Sequence, residues 1–168
     1  METKYCRSCG YRLGFEPWGD DEKTPTYEIG KTMMIKKQIT VCKKDAEIII
    51  FPESKNEIGL WIAHPPCYVV SISDVRKMET MINTALQYSN SGMLVNAETA
   101  KSVLKDMRIK SWNSLYKSYK IISYSIAEDK IIITPFAYTN RGVFPDTKAK
   151  ESFDIDDCNN AIGLLLRL

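Results

Sequence analysis

The chain has 168 residues, of which 44% are hydrophobic and 26% are charged. This composition is that of an ordinary globular protein, and it excludes a disordered or collagen-like chain. Lys and Arg number 23 against 21 Asp and Glu, giving a formal net charge of +2, which excludes a polycation that binds nucleic acid over its whole surface.

Cysteine content and apolar runs bear on the compartment. The five cysteines are an odd number, and Met1–Leu13 has neither the basic start nor the apolar core of a secretory signal, so we expect a cytoplasmic protein without a disulfide framework. The longest apolar runs, such as Ile48–Phe51 and Ile131–Ile133, are much shorter than the ~20 residues of a membrane helix. We therefore expect no contact with a membrane.

Two regions follow from the hydrophobic pattern. Residues 1–30 are rich in turn-forming residues and lack apolar periodicity, which predicts an N-terminal arm. Residues 31–168 read as regular elements and form the predicted domain. Its first part holds four β-branched or aromatic runs with short links, which predict an antiparallel meander: Gln38–Lys43, Glu47–Phe51, Gly59–Ala63 and Cys67–Ile72.

Helical spacing replaces the strand pattern in the middle of the chain. Apolar residues at three- and four-residue intervals predict a helix over Ser73–Tyr88 with Ser73 as its cap. A second apolar stripe follows a cap at Asn96, and a shorter helical turn follows Ser111.

The last third returns to strands and ends in a helix. Lys120–Ile126 and Lys130–Pro135 predict a hairpin, and a glycine- and proline-containing loop follows it. The final helix is predicted to have Asp154 as its cap and Asp157 in its first turn. Its apolar stripe should dock on the sheet: Ile155, Cys158, Ala161, Ile162 and Leu165. The predicted fold is α+β, with an antiparallel sheet meander, then helices, a further β-hairpin and a C-terminal helix packed on the sheet.

A CxxCG motif lies near the start of the chain. Cys6 and Cys9 supply half of a tetrahedral zinc site. With the PWG and PxYEI segments that follow, residues 6–29 resemble the N-terminal half of a small bacterial zinc-ribbon family. That family has a second cysteine cluster where this chain has Gly30–Thr32. We therefore predict a degenerate half zinc ribbon with no bound metal and no cofactor.

The second half of the chain carries another resemblance. The segments Trp112–Leu115, Lys120–Ile126, Lys130–Pro135 and Gly142–Asp146, and a closing helix through Ala161–Leu165, resemble contact-dependent growth inhibition immunity proteins (CdiI). The resemblance implies a cytoplasmic bacterial protein that binds the C-terminal domain of a cognate toxin, often a nuclease, one to one, and blocks it.

Catalytic interpretations find little support in the residue types. His64 is the only histidine, and any nucleophilic Cys–His or Ser–His arrangement has to use it. It precedes two prolines in a turn that we expect to hold it apart from Cys67. We therefore predict a protein that is not an enzyme.

Nucleic-acid binding is the alternative function. Two lysine pairs, at 36–37 and 43–44, flank a predicted strand, and residues 116–120 interleave Tyr and Lys, as stacking combined with phosphate contact requires. Solvated charge and helical packing explain the same residues, and the near-neutral total favours that explanation. Nucleic acid is therefore not the expected partner.

Carboxylates are the candidate toxin-binding residues. A toxin that holds nucleic acid has a positive surface, and carboxylates on its inhibitor would steer the encounter. The acidic end of the chain supplies them, together with the predicted hairpin turn: Glu128, Asp129, Glu151, Asp154, Asp156 and Asp157. Helix capping and complementation of the helix dipole are the alternative role of the last three.

Overall fold

The computed structural model describes residues 34–168, which form one sheet and four helices. The predicted arm and its two cysteines lie outside the described residues. The strands are β1 (Ile35–Lys44), β2 (Glu47–Lys55), β3 (Trp61–Ala63), β4 (Tyr68–Ser71), β5 (Lys120–Ala127), β6 (Lys130–Thr139), β7 (Gly142–Pro145) and β8 (Glu151–Asp154), and the helices are α1 (Val75–Tyr88), α2 (Ala97–Asp106), α3 (Trp112–Ser118) and α4 (Cys158–Arg167).

The eight strands form a single antiparallel sheet. The order across it is β3-β2-β1-β5-β6-β7, with β4 also on β2 and β8 also on β6. The chain leaves the sheet after β4, forms three helices, and returns at β5 beside the first strand. The predicted α+β class is confirmed, as are the β5–β6 hairpin and the C-terminal helix on the sheet.

The first four strands are antiparallel as predicted, but they do not follow one another across the sheet in chain order. Strands β3 and β4 both pair with β2, at Glu53–Lys55 and at Glu47–Ile50, so they act as two parts of one interrupted strand. His64–Cys67 interrupts it, because two consecutive prolines offer no N–H groups for pairing. Strand β2 also continues through Pro52 to Lys55, where a turn was predicted.

The predicted cap at Asn96 is confirmed, and a helix follows Ser111 as predicted. Asn96 caps α2 in a reciprocal arrangement with Thr99, and Ser111 caps α3. The cap of α1 is Asp74, whose carboxylate accepts a 3.1 Å hydrogen bond from Lys77 N, and not Ser73. Serine and aspartate both cap helices well, so the local sequence does not determine which of two neighbouring residues is the cap.

The predicted start of the last helix is also wrong. Helix α4 begins at Cys158 with Asp157 at its N-cap position, because residues 151–154 are held as strand β8 by backbone pairing with β6. Similarly, the predicted loop around Gly142 contains strand β7. Ile155, placed on the helical stripe by its spacing, precedes the helix and is 43% exposed.

The sheet has helices on both faces. On one face, α1 and α4 cover an apolar core in which Ile39, Ile50, Ile131 and Ile133 are fully buried. On the other face, α2 and α3 cover a smaller cluster around Cys42, Ile49, Phe51 and Leu115. The remainder of this second face is polar, and one of the two candidate sites lies there.

Candidate functional site

Five of the six predicted carboxylates meet at one end of the sheet. Glu128 and Asp129 form the β5–β6 turn, with Glu128 at a φ of 55°. Ile155 N donates a 2.9 Å hydrogen bond to the Asp129 carbonyl, which joins this turn to the connection between β8 and α4. We call Glu128, Asp129, Asp154, Asp156 and Asp157 the acidic corner.

Local contacts engage two of the acidic corner's carboxylates. Asp154 pairs with Lys130, its partner on β6, and this ion pair raises the pKa of Lys130. The carboxylate of Asp157 accepts hydrogen bonds of 2.8 and 3.0 Å from Asn160 Nδ2 and makes no side-chain bond to the helix backbone. Both contacts are solvent-exposed, so they leave the corner open to a partner.

Glu151 does not join the acidic corner. It lies at the other end of β8, opposite Ile133. Three residue steps along the strand separate it from Asp154, a distance of about 10 Å. The structure therefore separates Glu151 from the other five carboxylates, with which the sequence pattern had grouped it.

A second site, which the sequence did not indicate, surrounds Glu53 on the second face of the sheet. Its carboxylate accepts a hydrogen bond from Gln38 Nε2 and another, of 2.8 Å, from Thr40 Oγ1. Gln38 Oε1 in turn accepts a 3.1 Å hydrogen bond from Ser125 Oγ, which lies 3.1 Å from Ser123 Oγ. Polar side chains of three adjacent strands thus form a continuous network.

Among residues 34–168, Glu53 has no cationic partner. Its surface is partly exposed, but protein atoms surround it closely, and this burial raises the pKa of the carboxyl group against the lowering effect of its two hydrogen bonds. No Lys or Arg within residues 34–168 forms an ion pair with it. Its neutral donors occupy two of the roughly four acceptor positions of a carboxylate, so Glu53 retains acceptor capacity.

Aromatic side chains line the pocket above this network. The cavity has a volume of about 50 Å³, and Trp61, Trp112, Tyr116 and Phe136 contribute to its walls. Trp112 stacks on Tyr116 with ring centroids 6.1 Å apart, and its buried indole N–H has no acceptor among the described residues. A water molecule needs about 10–15 Å³ of such volume, so the pocket fits one small group and not a drug-sized ligand.

Strand alternation was the signal that could have indicated Glu53. Residues 49, 51 and 53 lie on one face of β2, so Glu53 follows Ile49 and Phe51 into the second face. Assigning Pro52 to a turn concealed this pattern.

His64 and Cys67 have separate surroundings. His64 is fully buried; its Nδ1 donates to the Pro65 carbonyl at 2.7 Å, its Nε2 lies 2.8 Å from Ser54 Oγ, and burial lowers its pKa. Burial raises the pKa of the Cys67 thiol to about 12. A neutral histidine and a protonated thiol are not the ionised pair of a cysteine nucleophile.

Two lysines of the nucleic-acid hypothesis donate hydrogen bonds to the C-terminal ends of helices. Lys37 Nζ donates to Leu86 O at 3.0 Å near the end of α1, and Lys43 Nζ donates to Leu166 O at 2.6 Å near the end of α4. Helix C-termini carry unsatisfied carbonyls and partial negative charge. These lysines therefore have a role within the fold.

The described residues offer neither a metal-binding cluster nor a membrane-spanning helix. Residues 34–168 contain no group of three or more His, Cys, Asp or Glu side chains placed to hold a metal ion. No helix in this part of the chain has the length and apolar character needed to cross a membrane.

Known structures share the fold. The chain superposes on a protein of unknown function from Neisseria meningitidis with a TM-score of 0.58 and 12% identity, over 78% of this chain and 91% of that one. It also superposes on a chain of a CdiA-CT/CdiI toxin and immunity complex from Yersinia pseudotuberculosis, with a TM-score of 0.53 and 15% identity, over 78% and 93%.

Sequence comparisons add no family assignment. No protein-family profile matches the chain, and no curated protein matches it. The zinc-ribbon resemblance of residues 6–29 therefore has no support from these comparisons. The second resemblance agrees with a structural neighbour, and at this level of identity the likeness concerns the fold.

Proposed function

We propose that this protein is an immunity protein that binds and neutralises a toxin domain delivered by contact-dependent growth inhibition. The observation that carries the proposal is the superposition of 78% of the chain on a chain of a toxin and immunity complex. The resemblance of the segments between Trp112 and Leu165 to CdiI proteins gives separate support, because it rests on the amino-acid sequence and not on the coordinates.

In this proposal the protein acts by binding and not by catalysis. The surroundings of His64 and Cys67 support a binding role, since neither group is activated for nucleophilic chemistry. The proposed partner is one copy of the cognate toxin domain, and a nuclease is the proposed toxin class. A stable one-to-one complex would bury about 800 Å² on each partner.

The acidic corner is the proposed toxin-facing surface. Its carboxylates lie on two neighbouring turns. Glu128, Asp129 and Asp156 are exposed, and their carboxylates take no part in the hydrogen bonds described above. Negative charge at this position would complement the positive surface with which a nuclease holds its substrate. Ile155 adds an exposed apolar side chain within the same corner, as the mixed character of protein interfaces requires.

The test begins with the neighbouring upstream open reading frame. A large exoprotein ending in a variable domain would identify the toxin, and that domain should inhibit growth when expressed alone. Co-expression with this protein should restore growth, and the purified proteins should elute as a one-to-one complex. A toxic domain that neither binds this protein nor loses its toxicity would refute the proposal.

A further inference from the structure

The polar pocket on the second face of the sheet has features that the fold alone does not require. A carboxylate closely surrounded by protein atoms and lacking a counter-ion is costly, even where part of its surface reaches solvent, and proteins usually avoid it or supply a cation. Here Glu53 has two neutral donors, Gln38 and Thr40, and opens towards a cavity.

We propose that the Glu53 pocket is a binding site for the guanidinium group of an arginine side chain from a protein partner. The identification of that partner as a toxin domain rests on the proposed function. The inference that the pocket binds a guanidinium group rests only on the residues that form the pocket.

Size and acceptor geometry favour this ligand. A cavity of about 50 Å³ corresponds to the space of a few water molecules, which suits one planar guanidinium group. Glu53 has one further acceptor position on each oxygen, since each oxygen already accepts one hydrogen bond. A guanidinium group presents two parallel N–H donors that match such a pair of oxygens.

The aromatic walls favour a cation over a neutral donor. Trp61 and Trp112 line the pocket, and indole faces attract cations within about 6 Å. The protein itself shows this at Trp61, where Lys55 Nζ lies 5.3 Å from the ring centroid. Arginine also stacks on aromatic rings through its flat face, which the ammonium group of lysine lacks.

The experiment uses the full chain and small probes. The indole N–H signals of Trp61 and Trp112 are followed by NMR during titration with N-acetyl-arginine amide, and N-acetyl-citrulline amide serves as the neutral probe of the same shape. The chain has three tryptophans, and Trp61→Phe and Trp112→Phe each identify one of the two signals that are followed. We expect saturable shifts with the arginine probe, weaker shifts with the corresponding lysine amide, and no saturable shift with citrulline.

Substitution of the carboxylate completes the test. Glu53→Gln should weaken binding of the arginine probe about tenfold or more, as expected for a hydrogen bond to a charged group, whereas Glu57→Gln, an exposed carboxylate in the next turn, should leave it unchanged. Equal responses to arginine and citrulline in the native protein would overturn the proposal, whether or not the Glu53 variant folds.

The outcomes separate this inference from the proposed function. If the protein neutralises the toxin but does not bind the arginine probe, the proposed function holds and the guanidinium site is refuted. A protein that binds the probe and has no toxin partner has the site without the proposed function.

Discussion

Two isoleucines near the C-terminus provide a test of the described fold. Sequence spacing places both on the apolar stripe of the last helix, but the structure separates them. Ile162 lies in α4 with 5% of its surface exposed and packs in the larger core, whereas Ile155 precedes the helix and is 43% exposed.

The expected losses in the free energy of unfolding follow from this difference in burial. Ile162→Ala removes buried methylenes and leaves a cavity that the sheet cannot fill, so we expect a loss of about 2–5 kcal/mol in the free energy of unfolding. Ile155→Ala loses only the buried part of its transfer free energy, about 1 kcal/mol. Its backbone hydrogen bond to Asp129 does not depend on the side chain.

Urea unfolding followed by circular dichroism measures both values. For a domain of this size each kcal/mol shifts the melting temperature by about 3–5 °C, so Ile162→Ala should melt about 10 °C below the native protein and Ile155→Ala within about 5 °C of it. The slopes of the two transitions should match that of the native protein. Equal destabilisation of the two variants would show that the helix extends over both residues and would refute this account of α4.

Three further predictions concern protonation, nucleic acid and metal. Because the native pKa of Glu53 is raised above its ordinary value of 4.5, the native state binds more protons than the unfolded state between those two values. The free energy of unfolding should therefore fall as pH rises through that interval. Denaturant titrations at successive pH values measure this pH dependence, and Glu53→Gln should lack it. The same pH dependence in the variant would show that Glu53 is not its source. The protein should pass through a heparin column at moderate salt, and retention that disappears with Lys36→Ala and Lys37→Ala would instead favour nucleic-acid binding. Native mass spectrometry should detect no stoichiometric zinc, and a chelator should leave the protein folded; one zinc per chain would show that the two N-terminal cysteines still have partners.

Elements with local signals could be predicted from the sequence. Asn96 caps α2 as predicted, because a cap is a contact between residues two or three positions apart. Helix α3 likewise follows Ser111 as predicted. The β5–β6 hairpin follows equally from alternation on both sides of a tight turn. These features depend on little outside their own segment.

Features that depend on distant partners could not be predicted in this way. Strands β7 and β8 are short and polar, and each is defined by pairing with β6. The Glu53 network joins Gln38, Thr40 and Ser125 across three strands, and its existence requires the register of β1 on both β2 and β5. Only the paired sheet brings these groups together.

The acidic corner and the Glu53 pocket should affect binding of the toxin through different rates. Exposed charges at the edge of an interface act while the proteins approach, so Asp129→Lys with Asp156→Lys should lower the association rate at low salt and lose this effect as salt is raised. A desolvated charge pair acts after docking, so Glu53→Gln should mainly raise the dissociation rate. Surface plasmon resonance at two salt concentrations separates the rates, and circular dichroism checks that each variant is folded. An unchanged association rate in the folded double variant would remove the acidic corner from the interface, and an unchanged dissociation rate in Glu53→Gln would remove the pocket.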